Sequence, residues 1–269
     1  MRGRFYILQI ITVPLTTPAY LKAYIRQPDD NTPQTTYPAI IIVPGGGYTH
    51  IPEAQAETLA LAFAARGFQA FYLRYHFNTE VSPLLPQPLL DLAAAVQQLR
   101  QNATVWHLDP NKIAAAGFSV GGHIVSTYNG SWQEHWLQQA APDIDLQLNA
   151  AILAYPVIRL NAGWPAADKL ANLSAQPDQF AADKLVNSAC APTFIWHTAD
   201  DPLVPVQNSL YYLNALAKNG IPFESHIFRH GPHGLALANQ QTAWKADADQ
   251  PHVAHWLDLA VEWLQDTLA

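Results

Sequence analysis

The chain has 269 residues, of which 49% are hydrophobic and 13% charged, and a formal net charge of −7. This composition fits a globule with a large core and excludes a disordered chain; the acidic balance, with no Lys/Arg cluster, excludes a phosphate-backbone partner, so no nucleic acid is expected. A single cysteine, Cys190, excludes a disulfide framework and fits a reducing cytoplasm, the location expected on this reading.

In chain order, residues 1–4 are basic and residues 5–13 mostly apolar, but Gln9 interrupts the run and Pro14 ends it, so it reads as a first strand rather than a secretory signal. No segment reaches the roughly 20 consecutive apolar residues of a transmembrane helix, and no membrane partner is expected. Strands are predicted over 5–11 and 20–26, joined near Thr16 and Pro18 as an antiparallel edge hairpin. The next strand, 39–43, is continuously apolar, as a buried parallel strand should be. It leads into Pro44-Gly45-Gly46-Gly47-Tyr48, a glycine run that exposes backbone N–H groups with no side chains in the way. No Gly-Lys-Ser/Thr follows, which argues against a phosphate loop.

A strand over 69–72, an irregular proline-bearing loop over 77–88 and a helical stripe of Leu89, Leu92, Val96 and Leu99 come next. Asp109-Pro110-Asn111 reads as a turn before the strand 113–118. That strand runs into Gly117-Phe118-Ser119-Val120-Gly121, followed by a helix. Gly-x-Ser-x-Gly at a strand–helix junction forms a turn tight enough to need its glycines, and it lifts the serine oxygen clear of the sheet edge. A strand over 151–155 is followed by the weakly periodic segment 159–190, a small insertion placed where lids over active sites are commonly found. Strands over 193–197 and 223–228 flank a helix with Val206, Leu210, Leu213 and Ala217 as its expected buried stripe. Val253, Trp256, Leu257, Ala260, Val261 and Leu264 form the stripe of the last helix. The apolar strands alternate with helices, which describes one mostly parallel eight-stranded sheet covered on both faces, and no linker divides residues 1–269.

A serine hydroxyl becomes a useful nucleophile only beside a base that is itself oriented by an acid. Thr198-Ala199-Asp200-Asp201-Pro202 follows one strand and Arg229-His230-Gly231-Pro232-His233-Gly234 another, at the same sheet edge as Ser119. Of the adjacent pairs we choose Asp201, which stands against the start of the next helix, and His233, which sits in a Pro-His-Gly turn. Asp200 is then a turn or cap residue, and His230 a solvated or turn-stabilising one. The glycine run after strand 39–43, together with the amide of Val120, is the candidate source of oxyanion donors. Tyr48, Trp106 and Trp164 are the candidate pocket residues. His252 and His255 lie three apart with no evident third ligand, so neither metal nor cofactor is expected.

On these residues the chain resembles the α/β-hydrolases over nearly its full length. Pro44-Gly45-Gly46-Gly47 is similar to the His-Gly-Gly-Gly loop of hormone-sensitive-lipase-type esterases. Asp109-Pro110-Asn111-Lys112-Ile113 with Gly117-Phe118-Ser119-Val120-Gly121-Gly122-His123 is similar to small bacterial carbohydrate esterases of the acetylxylan- and feruloyl-esterase-like group. The resemblance implies Ser119 as nucleophile, Asp201 as acid, His233 as base, and Gly46, Gly47 and Val120 as oxyanion donors. Pro44 stands where that loop has histidine, and Val120 where alanine is commoner. The function implied is hydrolysis of short-acyl carboxylic esters, such as acetyl esters of sugars, with a small-molecule ester as the sole required partner; a homodimer is compatible with it. A serine peptidase resembling the prolyl oligopeptidase catalytic domain is the alternative, and a non-catalytic binding protein on the same fold is the third.

Overall fold

The computed structural model describes residues 8–29, 31 and 33–269. Among them, eight strands form one sheet: β1 (Gln9–Pro14), β2 (Tyr20–Ile25), β3 (Tyr37–Val43), β4 (Gln69–Arg74), β5 (Leu108–Phe118), β6 (Ala150–Ala154), β7 (Thr193–Thr198) and β8 (Phe223–Phe228). They are ordered β1-β2-β4-β3-β5-β6-β7-β8. The first two pairings are antiparallel and the remaining five parallel. The central strands carry aliphatic residues without polar alternation because both their faces are covered; Ile40, Ile41, Ile42, Ala114, Ala115 and Ile152 are all fully buried.

The long helices are α1 (Glu53–Ala64), α2 (Gln87–Gln101) and α3 (Val120–Ser131). The short α4 (His135–Gln138), α5 (Leu170–Leu173) and α6 (Ala182–Leu185) precede α7 (Gln207–Asn219), and α8 (Pro251–Ala254) leads into α9 (Trp256–Thr267). Contacts between α2 and α3, α3 and α6, and α6 and α7 place these four on one face. On the other face Phe63 of α1 meets Trp256 of α9 at 6.4 Å between ring centroids.

The sheet is the predicted one with two strands adjusted, and one helix turns a different face to the core than expected. The first strand runs from Gln9 to Pro14, later than the expected 5–11, of which residues 5–7 lie outside the described residues. β5 begins at Leu108, so the expected Asp109-Pro110-Asn111 turn lies within the strand; the Asp109 carboxylate accepts from the Asn111 amide at 2.9 Å, and the register against β3 slips there. The expected buried stripe of α7 is wrong. Leu210 is exposed, and Asn208, Ser209, Tyr212 and Leu216 face the core. The helix is turned by polar demand. Asn208 Oδ1 accepts from the Ile158 and Arg159 amides, and Ser209 Oγ lies 2.8 Å from His197 Nδ1.

No helix among the described residues is long and apolar enough to cross a membrane. The insertion 159–190 folds as short helical turns, with α6 against α3. It also ties to the loop 77–88, through Leu84 and Leu85 amides donating to the Asn172 and Leu173 carbonyls at 3.0 and 2.9 Å.

Candidate active site

The carboxyl ends of the parallel strands carry the site. Ser119 joins β5 to α3 with φ 56° and ψ −116°, a conformation costly for a residue with a Cβ. It is held there because its amide donates to the Ala154 carbonyl at 3.0 Å and its carbonyl accepts from the Val157 and Gly122 amides at 3.1 and 2.9 Å. The flanking glycines are steric requirements. A Cβ on Gly117 would overlap the Gly121 carbonyl, and one on Gly121 would overlap that of Val43. The β3 glycine loop passes directly over the elbow, since a Cβ on Gly45 would come within 3.1 Å of Ser119 Cβ.

His233 Nε2 lies 2.7 Å from Ser119 Oγ, and His233 Nδ1 lies 2.7 Å from Asp201 Oδ2. An ionised carboxylate only accepts, so Nδ1 carries the proton and Nε2 offers its lone pair to the serine O–H. The Asp201 side chain is fully buried. Burial alone would push its carboxyl up, but hydrogen bonds from His197, His233 and the Val204 amide outweigh this and hold it well below the usual carboxylate range. Its other oxygen, Oδ1, accepts from the Leu203 and Val204 amides at 2.8 and 3.0 Å. The ring of Tyr155 stands edge-on to His233 with centroids 5.0 Å apart, and its hydroxyl accepts from the Ala236 amide at 3.0 Å.

Asp200 and His230 pair with each other, His230 Nδ1 to Asp200 Oδ2 at 2.7 Å, while Asp200 Oδ1 accepts from the Gly231 amide at 2.9 Å. Two Asp–His pairs therefore cross-tie the loops after β7 and β8. Sequence reasoning gave Asp200 a local turn role and did not see this tie. It also missed Tyr155, whose partners His233 and Ala236 lie about eighty residues away, and His197, which reads as an ordinary strand residue although its partners Asp201, Val204 and Ser209 follow within twelve residues.

A cavity of about 460 Å³ opens over Ser119. Gly46, Gly47, Tyr155, Trp164, Leu203 and Trp244 are among its walls. Among the described residues, no acceptor is paired with the amides of Gly46, Gly47 or Val120. Two of the candidate pocket residues are corrected. Tyr48 is fully buried beneath the glycine loop rather than in the cavity wall, its hydroxyl satisfied by His123. Trp106 precedes β5 at the far end of the sheet, packed on Phe71 at 5.4 Å, where it serves the core. The Val120 side chain is likewise buried and does not wall the cavity.

The family model BD-FAE matches residues 25–216. The chain belongs to the BD-FAE family of α/β-hydrolases. A carboxylesterase from Lactobacillus plantarum WCFS1 is similar in structure, with 32% identity, 98% of this chain and 99% of that chain covered, and a TM-score of 0.90. An endo-1,4-beta-xylanase B of Butyrivibrio fibrisolvens is 36% identical over 213 residues, which cover 75% of this chain and 33% of that protein. An acetylxylan esterase of Xylanibacter ruminicola is 28% identical over 210 residues, covering 74% of this chain and 41% of that protein. The BD-FAE chain thus matches less than half the length of either curated relative.

Proposed function

We propose that the protein is a serine carboxylic-ester hydrolase for short acyl esters of polar alcohols, acetyl esters of sugars among them. The observation that carries the reading is the unbroken line Ser119 Oγ–His233 Nε2–His233 Nδ1–Asp201 Oδ2, with 2.7 Å at each contact, beneath an open cavity. His233 takes the Ser119 proton as Oγ attacks the ester carbonyl. The oxyanion forms against the Gly46, Gly47 and Val120 amides. His233 returns the proton to the leaving alkoxide, and the alcohol departs. Water, deprotonated by the same imidazole, then releases the acid and regenerates Ser119.

The alcohol must leave on the side of His233, which protonates it. On that side the cavity meets a polar groove of about 310 Å³ formed by Asp200, His230, Lys245, Asp247 and Gln250, with Pro202, Pro232 and Lys245 common to both. A groove of charged and amide groups supports a hydroxyl-bearing leaving group over an alkyl one. The insertion 159–190 serves as a small lid on this reading, contributing Trp164.

The acyl chain is limited by space. A 460 Å³ cavity shared between acyl group and alcohol lies toward the small end of ligand sites. Each methylene adds about 0.8 kcal/mol only while it is buried. On a p-nitrophenyl ester series from two to sixteen carbons, kcat/KM is expected to peak at acetyl to butyryl and fall beyond roughly six to eight carbons. A maximum at about ten carbons or longer would overturn the short-acyl reading. Aminoacyl anilides assayed beside the esters are expected to remain uncleaved; efficient cleavage would favour the peptidase.

A further inference from the structure

Tyr48 follows Gly46-Gly47 directly, has φ 64° and is fully buried. A non-glycine residue in this left-handed region persists only where its surroundings hold it. The ring is wedged edge-on to Tyr75, with centroids 6.1 Å apart, and lies 6.5 Å from Trp164. The Tyr75 hydroxyl in turn reaches the Pro44 and Gly45 carbonyls at 3.0 and 3.3 Å. The Tyr48 hydroxyl lies 2.7 Å from His123 Nδ1.

His123 is one turn beyond Ser119 on α3 and fully buried, with Nε2 2.7 Å from the Phe180 carbonyl oxygen. A carbonyl only accepts, so Nε2 bears the ring proton. Burial draws the His123 pKa down to about 4, so the imidazole is neutral and Nδ1 keeps a lone pair, to which Tyr48 donates. The chain of bonds has one direction: Tyr48 O–H to Nδ1, then Nε2–H to Phe180 C=O. It joins the glycine loop, the helix that starts at the serine, and the insertion 159–190.

We propose that Tyr48 and His123 are positioning residues that fix the Gly46 and Gly47 amides relative to Ser119, and so set the oxyanion geometry that Pro44, having no hydrogen-bonding side chain, cannot anchor. This rests on the reading that those amides receive the oxyanion. The loop and Ser119 sit on different elements, β3 and α3, and a displacement of about 1 Å between reacting groups is enough to cost on the order of 10²-fold in rate. The third member of the chain, the Phe180 carbonyl, makes the placement of the insertion part of the same adjustment.

The test is Tyr48→Phe, which keeps the ring and removes one O–H. On p-nitrophenyl acetate, kcat is expected to fall about 10- to 100-fold with KM changed less than about twofold. The inhibition constant of a trifluoromethyl ketone, whose Ser119 adduct carries the oxyanion, is expected to rise in the same proportion as kcat/KM falls. His123→Phe should give a similar loss, and the double variant should be no worse than the poorer single one. Should His123→Phe fail to fold, Tyr48→Phe decides alone. A merely structural bond would lower the melting temperature and leave kcat/KM of the folded enzyme and the ketone constant at wild-type values; that result overturns the proposal, as does a loss confined to KM. Ser119→Ala assayed alongside separates the two levels. Turnover retained there removes the serine reading itself, whereas an inactive Ser119→Ala with wild-type kinetics in Tyr48→Phe removes only the positioning role.

Discussion

Ser119→Ala is expected to abolish ester hydrolysis, by on the order of 10³-fold or more, while the protein melts at essentially the wild-type temperature. The size follows from the way the three groups act together. Without Oγ, the lone pair on His233 Nε2 has no proton to accept, and the Asp201–His233 bond orients a base with nothing to activate. The fold is indifferent because the elbow is held by backbone: the Ser119 amide on Ala154 and its carbonyl on the Val157 and Gly122 amides remain in the alanine variant. Alanine meets the same φ of 56° with the same Cβ, so no new strain enters. Turnover of p-nitrophenyl acetate and a thermal melt on one preparation check both halves. Activity surviving in folded Ser119→Ala would remove the nucleophile assignment.

Asp201→Asn is expected to cost about 10⁴-fold in kcat and Asp200→Asn less than about tenfold. The contrast comes from what holds each side chain. Asp201 Oδ1 accepts two backbone amides, Leu203 and Val204, so an asparagine keeps its oxygen there and turns its NH₂ toward His233 Nδ1. That donor forces the imidazole proton onto Nε2, facing Ser119, where the base needs a lone pair. Asp200 and His230 are about half exposed, and an amide oxygen at 200 can still accept from the Gly231 amide. Kinetics of the two variants under one set of conditions are decisive: equal losses, or the reverse order, would assign the acid to the other carboxylate. Stability adds a signed check. The folded pKa of Asp201 lies below its unfolded value, so its ionisation contributes stability above about pH 4 that is lost as pH falls through the ordinary carboxylate range toward the folded pKa. The gap in melting temperature between wild type and Asp201→Asn should therefore be widest near neutrality and narrow on acidification.

Much of this was visible in the amino-acid order because the determinants are local. Ile40-Ile41-Ile42 announces a strand buried on both faces, and Gly117 and Gly121 announce a turn in which no Cβ fits. Asp201 and His233 could be chosen because each follows a readable strand and adjoins a proline. What stayed hidden depends on contacts across the chain. The buried face of α7 is set by Asn208 and Ser209, which look like surface residues until their partners, the amides after β6 and the ring of His197, are brought beside them. Helix α1 was not picked out, although Ala56, Leu59, Ala60 and Phe63 repeat at helical spacing; so many alanines blur an apolar stripe. Trp106 and Tyr48 look like binding residues in any loop-rich sequence, and only their buried partners, Phe71 and His123, show otherwise. His123 itself gives no local sign of its neighbours, which lie 75 residues before it and 57 after it.

The division of the cavity between backbone-held and loop-borne parts bears on how such a protein changes its diet. Ser119 is fixed by glycines and by main-chain bonds to the end of β6, whereas Trp164 and Trp244 come from the insertion and from the irregular stretch before α8. On the proposed reading, exchanging Trp244 should alter substrate preference with little effect on the rate of the Ser119 chemistry, whereas exchanging Trp164, whose ring lies 6.5 Å from that of Tyr48, should change both. On that reading, a scaffold arranged in this way lets selection explore new esters through single loop-borne substitutions, each judged on the acyl group or alcohol it admits, while the backbone-held elbow is left alone.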